Sequence, residues 1–157
     1  RRDLADFPEI DLPPEIAVRP FVGTGGLHMK YNFQQYLWQD PAKPGRGWGL
    51  FGHVGISNGV PDIFDWSMSA GIAGAVPAPS RPLDNFGIGY FRQSVSTAAV
   101  NALAPTVALG DEQGAEVYYT AQIGKRFRLT ANGQVIEPSL RSAKAAVNIG
   151  LRARASF

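Results

Sequence analysis

The chain has no cysteine among its 157 residues, which excludes disulfide bonds, thiolate nucleophiles and cysteine-ligated metals. Histidine is nearly absent as well. His28 and His53 lie far apart with no carboxylates clustered at ligand spacing, so neither a metal centre nor any other cofactor is expected. No stretch approaches the ~18 consecutive apolar residues of a membrane helix, so any membrane crossing must be made by strands. Charge is scarce: Asp, Glu, Lys and Arg make up 18% of the chain, the net charge is +2, and the basic residues are scattered. Such a distribution carries no nucleic-acid footprint. Gly55-Ile56-Ser57-Asn58-Gly59 has the Gly-x-Ser-x-Gly spacing, but it runs from a strand into a turn with no helix after it, not the strand-to-helix elbow that exposes a nucleophilic serine, and Val22-Gly23-Thr24-Gly25-Gly26 lacks the Lys-Ser/Thr of a phosphate loop and reads as a turn. Nothing therefore marks an enzyme. No apolar leader follows Arg1-Arg2-Asp3-Leu4-Ala5-Asp6, and the chain starts without Met in a Pro-rich stretch, as a mature or partial protein would.

Glycine and proline are abundant, 18 and 12 residues, and point away from a helical bundle. The hydrophobic content of 45% would by itself permit an ordinary soluble core. Its arrangement says more. The run from Ala145 to Phe157 alternates, with Val147, Ile149, Leu151, Ala153 and Ala155 on one face, and Asn148, Arg152 and Arg154 on the other. Crossing a bilayer with tilt takes roughly 9–11 residues with one face in lipid and one in a polar lumen, and this run fits that description.

The same period recurs upstream. Residues 1–25 read as a loop or connecting segment, with at most a short strand near Ala17 to Val22. Leu27, Met29, Tyr31, Phe33 and Leu37 then oppose His28, Lys30, Asn32 and Gln34, with Tyr36 and Trp38 as aromatics on the polar face. Asp40 to Gly45 is a turn. A second strand runs from Trp48 to Ser57 and closes in a turn at Asn58 to Asp62; a third carries Trp66, Met68, Ala70 and Ile72 on one face and ends in Pro77 to Ser80. Phe86, Ile88 and Tyr90 begin a fourth strand reaching about Val95, followed by a long connection, about Ser96 to Gln113, with room for a short helix. Ala115 to Ile123 and Phe127 to Val135 are the next two strands. They are joined at Gly124-Lys125-Arg126, a short turn of the periplasmic kind, whereas longer connections belong outside. The whole reads as an all-β, antiparallel up-and-down meander of a transmembrane β-barrel, about seven or eight strands over residues 26–157.

Several segments resemble the C-terminal part of the carbohydrate-selective porins, the OprB-like outer-membrane channels. They are Trp48-Gly49-Leu50-Phe51 leading to Gly55-Ile56-Ser57-Asn58-Gly59, and Arg81-Pro82-Leu83-Asp84-Asn85-Phe86-Gly87-Ile88-Gly89-Tyr90. Glu116-x-Tyr118-Tyr119, Leu129-Thr130 with Gln134-x-Ile136 and Pro138, and Gly150-Leu151-Arg152 through to Phe157 continue the series. Ala131 stands where the family commonly has proline, and Glu137 where it often has asparagine. The resemblance implies a barrel of about 16 strands, of which this chain would be roughly the C-terminal half. It also implies a place in the bacterial outer membrane, contact with its lipid and lipopolysaccharide, and small carbohydrates as solutes.

An open sheet in lipid leaves unpaired backbone groups, so the chain needs the remaining barrel strands or further copies of itself, unless it closes alone as a small barrel. Candidate lumen residues are Arg128, Arg152 and Arg154 with Glu116, Gln122, Asn132 and Gln134, all on the polar face of the last strands. In a channel they would exchange hydrogen bonds with sugar hydroxyls; as plain wall residues they would pair with one another. Tyr36, Trp38 and Tyr118 are candidates for stacking on a sugar ring. Trp48 and Trp66, near strand ends, suit an interfacial girdle or, in a soluble sandwich, a core. Passive diffusion of sugars is the first functional reading. A structural outer-membrane barrel and a soluble lipocalin-like barrel that binds an apolar ligand remain as alternatives.

Overall fold

A computed structural model describes residues 27–57 and 63–157. Residues 1–25, the short strand near Ala17, the Val22 to Gly26 turn and the Asn58 to Asp62 turn therefore lie outside the described residues. Seven strands are present there: β1 (His28–Gln39), β2 (Gly47–Ser57), β3 (Phe64–Ala75), β4 (Asn85–Val95), β5 (Glu112–Ile123), β6 (Phe127–Glu137) and β7 (Ala146–Ala155). At 10–12 residues each they are about twice the usual strand length and match a bilayer crossing. They form one sheet in sequence order, every neighbour antiparallel, which is the expected meander.

Register turns the alternation of each strand into two continuous faces. Phe33, Gly52, Ala70, Tyr90, Ala115, Val135 and Val147 are successive cross-strand partners and form one row of the apolar face. Gln34, Phe51, Gly71, Gly89, Glu116, Gln134 and Asn148 form the adjacent row on the opposite face. Among the described residues no second layer covers the apolar side. Among the described residues the buried hydrophobics are only Ala73, Ala75 and Val95, while Ile149 is 88% exposed and Tyr31 69%. A sheet that stood in water would not leave so much apolar surface bare.

Among the described residues the sheet is open: β7 pairs with β6 and β1 with β2, and these two strands are not paired with each other. Closure of these strands alone as a small barrel is thus not what the fold does.

One expectation is corrected at the end of β1. A register shift between Tyr36 and Trp38 inserts one residue, so Trp38 stands opposite Trp48 and shares the face of Leu50 instead of the polar face. An added residue in one strand flips every side chain beyond it.

The connections differ between the two ends. At one end lie the turns 40–46, 76–84 and Gly124 to Arg126, the last turned by Gly124 at φ 64°. At the other, residues 96–111 hold the short helix α1 (Thr97–Leu103), capped by Ser96, whose Oγ accepts from the Ala99 amide at 3.2 Å. A bridge from Leu109 to Leu140 ties that connection to the β6–β7 turn. Among the described residues no helix is long and apolar enough to cross a membrane.

Candidate functional site

The polar face curls around a concavity of about 640 Å³, lined by residues from β1 through β7. Glu116, Asn132, Gln134 and Arg152 line it. Glu116 stands opposite Gln134 and Arg152 opposite Thr130, so these side chains come together on three adjacent strands. Gln122, Arg128 and Arg154 share the face but sit toward the Gly124 turn, outside the concavity. There Arg128 Nε donates to Gln122 Oε1 at 2.8 Å, and Gln122 Nε2 to the Gly124 carbonyl at 3.0 Å. Arg128 and Arg154 are direct cross-strand partners, a like-charged pair at the rim.

Sequence reasoning passed over the other half of the lining. Asn32, Gln34, His53, Ser69, Thr120 and Thr130 face the same space. Ser69 Oγ and His53 Nδ1 are 2.7 Å apart, and the hydroxyls of Thr120 and Thr130 2.8 Å, so part of the wall pairs internally. The signal was available in the alternation of β1 to β3, but nothing in it ranked these positions above their neighbours.

Phe51, Phe91 and Tyr118 also line the concavity. Each lies against a glycine of an adjacent strand. A Cβ on Gly71 would stand 2.7 Å from Phe51 Cε1, one on Gly114 2.6 Å from Phe91 Cε1, and one on Gly87 2.7 Å from Tyr118 Cζ. The rings therefore lie down on the sheet where a side chain would have held them off. Of the three stacking candidates, Tyr118 alone is on the concavity. Tyr36 packs by Gly47 and Gly49, and Trp38 is on the other face beneath the Arg46 guanidinium, 5.6 Å from its ring centre.

The end bearing the 76–84 turn is held by a buried carboxylate. Asp84, 2% exposed, accepts from Tyr119 Oη at 2.5 Å, from Arg81 Nε at 2.5 Å and from the Gln122 amide at 2.9 Å. Burial pushes its pKa up, but the hydrogen bonds from Tyr119, the Gln122 amide and Arg81 together outweigh that and hold it below the usual carboxylate range. Arg46 ties its own turn, through Asp40 Oδ2 (2.9 Å), to the 76–84 turn, through the Pro82 (2.8 Å) and Val76 (2.9 Å) carbonyls. Both clusters fix turn ends and so the spacing of the strands that carry the wall.

On the apolar face, Trp48 and Trp66 fall at opposite ends. Gly74, the partner of Trp48, is eight residues along β3 from Trp66, roughly 26 Å at the ordinary strand rise. Beyond the apolar stretch at the Trp66 end comes a polar belt: Arg92 pairs with Asp111 at 2.9 Å and lies 5.9 Å from the Trp66 ring centre, and Gln113 donates to Glu137 at 2.6 Å. Among the described residues no three His, Asp or Glu side chains gather as a metal site.

The model of the carbohydrate-selective porin family, OprB, matches residues 22–157. The chain belongs to that family. The family is one of carbohydrate-selective porins. Among solved structures it is similar to Pseudomonas putida OprB, in its high-pH form, with 21% identity and a TM-score of 0.69 over 82% of this chain. The match covers 34% of that protein, so the chain spans about a third of its length, and at this identity the likeness shows the fold. No curated protein matches the chain.

Proposed function

We propose that the chain forms the closing C-terminal part of an outer-membrane channel through which small carbohydrates diffuse passively. The observation that carries this is the division of one sheet into a polar concave face and a largely apolar convex face, in a chain of the OprB family. A lipocalin-like barrel would carry its apolar side chains inside, the reverse of this arrangement. The apolar face lies in lipid between the Trp48 and Trp66 levels, with the Gly124 turn on the periplasmic side. The α1 connection lies outside, next to lipopolysaccharide. The outer strands of the sheet, β1 and β7, lie beside the remaining barrel strands, since backbone groups left unpaired in lipid would cost several kcal/mol each.

Within the lumen, Glu116, Asn132, Gln134 and Arg152 exchange hydrogen bonds with sugar hydroxyls, each contact weak enough for the solute to leave again. Arg128, Arg154 and Gln122 shape the field at the periplasmic rim. No covalent step and no cofactor is involved. The test is liposome swelling with the full-length channel, comparing monosaccharides with charged solutes of similar size. Faster entry of the sugars is expected; equal rates for all would remove carbohydrate selectivity.

A further inference from the structure

We infer that Phe51, Phe91 and Tyr118 form a stacking ladder on the inner wall, a binding track for the apolar C–H face of a pyranose ring. The inference rests on the reading of the chain as a sugar channel.

Glycine fixes the geometry. Gly71 and Gly89 continue the row that starts at Phe51, and the Phe51 ring lies over Gly71 and reaches Gly89, where a Cβ would stand 3.4 Å from Phe51 Cζ. Tyr118 lies over Gly87 and Phe91 over Gly114. Gly87, Gly89 and Phe91 are successive inward positions of β4, so the three rings stand at three levels about 7 Å apart along that strand. A ring that stood upright would obstruct the passage. Laid on glycine, it turns one face to the wall and leaves the other toward the concavity, and each of the three is half-buried in keeping with that.

Hydrogen-bonding groups accompany the rings at the same levels. The Phe51 row continues through Gly89 to Glu116 and Gln134, and Tyr118 stands opposite Asn132. A pyranose has the matching surface, an apolar face of C–H groups bordered by equatorial hydroxyls. Stacking and hydrogen bonding can then be made together at one level and exchanged for the next. An acyclic polyol offers the hydroxyls without the rigid face.

The experiment uses the full-length channel in liposomes and measures entry of an all-equatorial hexose and of an acyclic hexitol. The readout is the ratio of the two rates at low solute concentration, where wall binding favours permeation. Phe51→Leu and Phe91→Leu are expected to lower that ratio by about threefold or more each, on the scale of a single ring contact. Ion conductance stays near its original value, because leucine still covers the glycine. Phe51→Tyr, which keeps the ring, restores the ratio. An unchanged ratio in both leucine variants overturns the ladder, as does an equal fall for hexose, hexitol and ions, which would make the rings wall filler. A channel with no preference for hexoses over charged solutes of the same size, before any substitution, would instead refute the sugar-channel reading itself.

Discussion

Replacing Asp84 with alanine removes the acceptor shared by the Tyr119 hydroxyl, the Arg81 guanidinium and the Gln122 amide. Breaking a buried charged pair typically costs about 3–5 kcal/mol. Two features favour the lower part of that range here: Arg81 is 45% exposed and regains water, and the wall is one sheet thick. The Tyr119 hydroxyl and the Gln122 amide lose a charged acceptor, each worth about 1.5–3 kcal/mol at most. We therefore expect Asp84→Ala to destabilise the barrel by about 3 kcal/mol and Tyr119→Phe by about 1.5 kcal/mol. Because the two share one bond, the double variant is expected to fall short of the sum by about 1 kcal/mol. The assay is reversible urea unfolding of the full-length protein in lipid vesicles, followed by tryptophan fluorescence. Asp84 is held below its ordinary pKa, so its stabilising contribution is fully present above the unfolded-state value and is lost as pH falls through the folded one. The loss caused by Asp84→Ala is accordingly expected at neutral pH and to shrink in acid. A change below about 0.5 kcal/mol at pH 7, or strict additivity with Tyr119→Phe, would refute the view that this carboxylate bolts the 76–84 turn to β5.

Three further outcomes follow from the two faces and the wall geometry. Val117→Arg, in the middle of the apolar face, is expected to cost about 2–4 kcal/mol in vesicle unfolding, whereas Gln134→Lys on the concave face stays within about 0.5 kcal/mol; comparable losses would deny that the convex side meets lipid. Gly74 has φ 141° and a Cβ there would stand 2.5 Å from Trp48 Cα, so Gly74→Ala is expected to cost at least about 2 kcal/mol and to shift the emission of Trp48. The Tyr118 hydroxyl is buried with no hydrogen-bond partner among the described residues, so Tyr118→Phe is expected to leave stability unchanged or raise it by up to about 1 kcal/mol; a loss above that size would reveal a partner for the hydroxyl in the complete barrel.

Alternation with a period of two is a local property, and it was readable wherever strands stayed regular. Met29, Tyr31 and Phe33 in β1 or Val147, Ile149 and Leu151 in β7 could be assigned to one face from the chain alone, and so could the polar side of β5 and β6. The short helix had room in the long connection because that stretch breaks the alternation. Trp38 was misassigned because a single extra residue inverts all that follows it, and such an insertion depends on how β1 meets β2. The seven lumen candidates shared a face as expected, yet their split into a concavity group and a rim group needed the stagger of the strands. Asp84 stands in a legible local motif, but its partners Tyr119 and Gln122 lie more than thirty residues away.

The sequence by itself therefore determined that this is a strand-built, two-faced wall with its apolar side against something other than water, because side-chain alternation and strand length are written residue by residue. Only the tertiary structure decided which residues stand level with one another. Register brings Phe51 over Gly71, Tyr118 over Gly87 and Asp84 beneath Tyr119, and register is a property of strand pairs, set by hydrogen bonding and packing between segments distant in the chain.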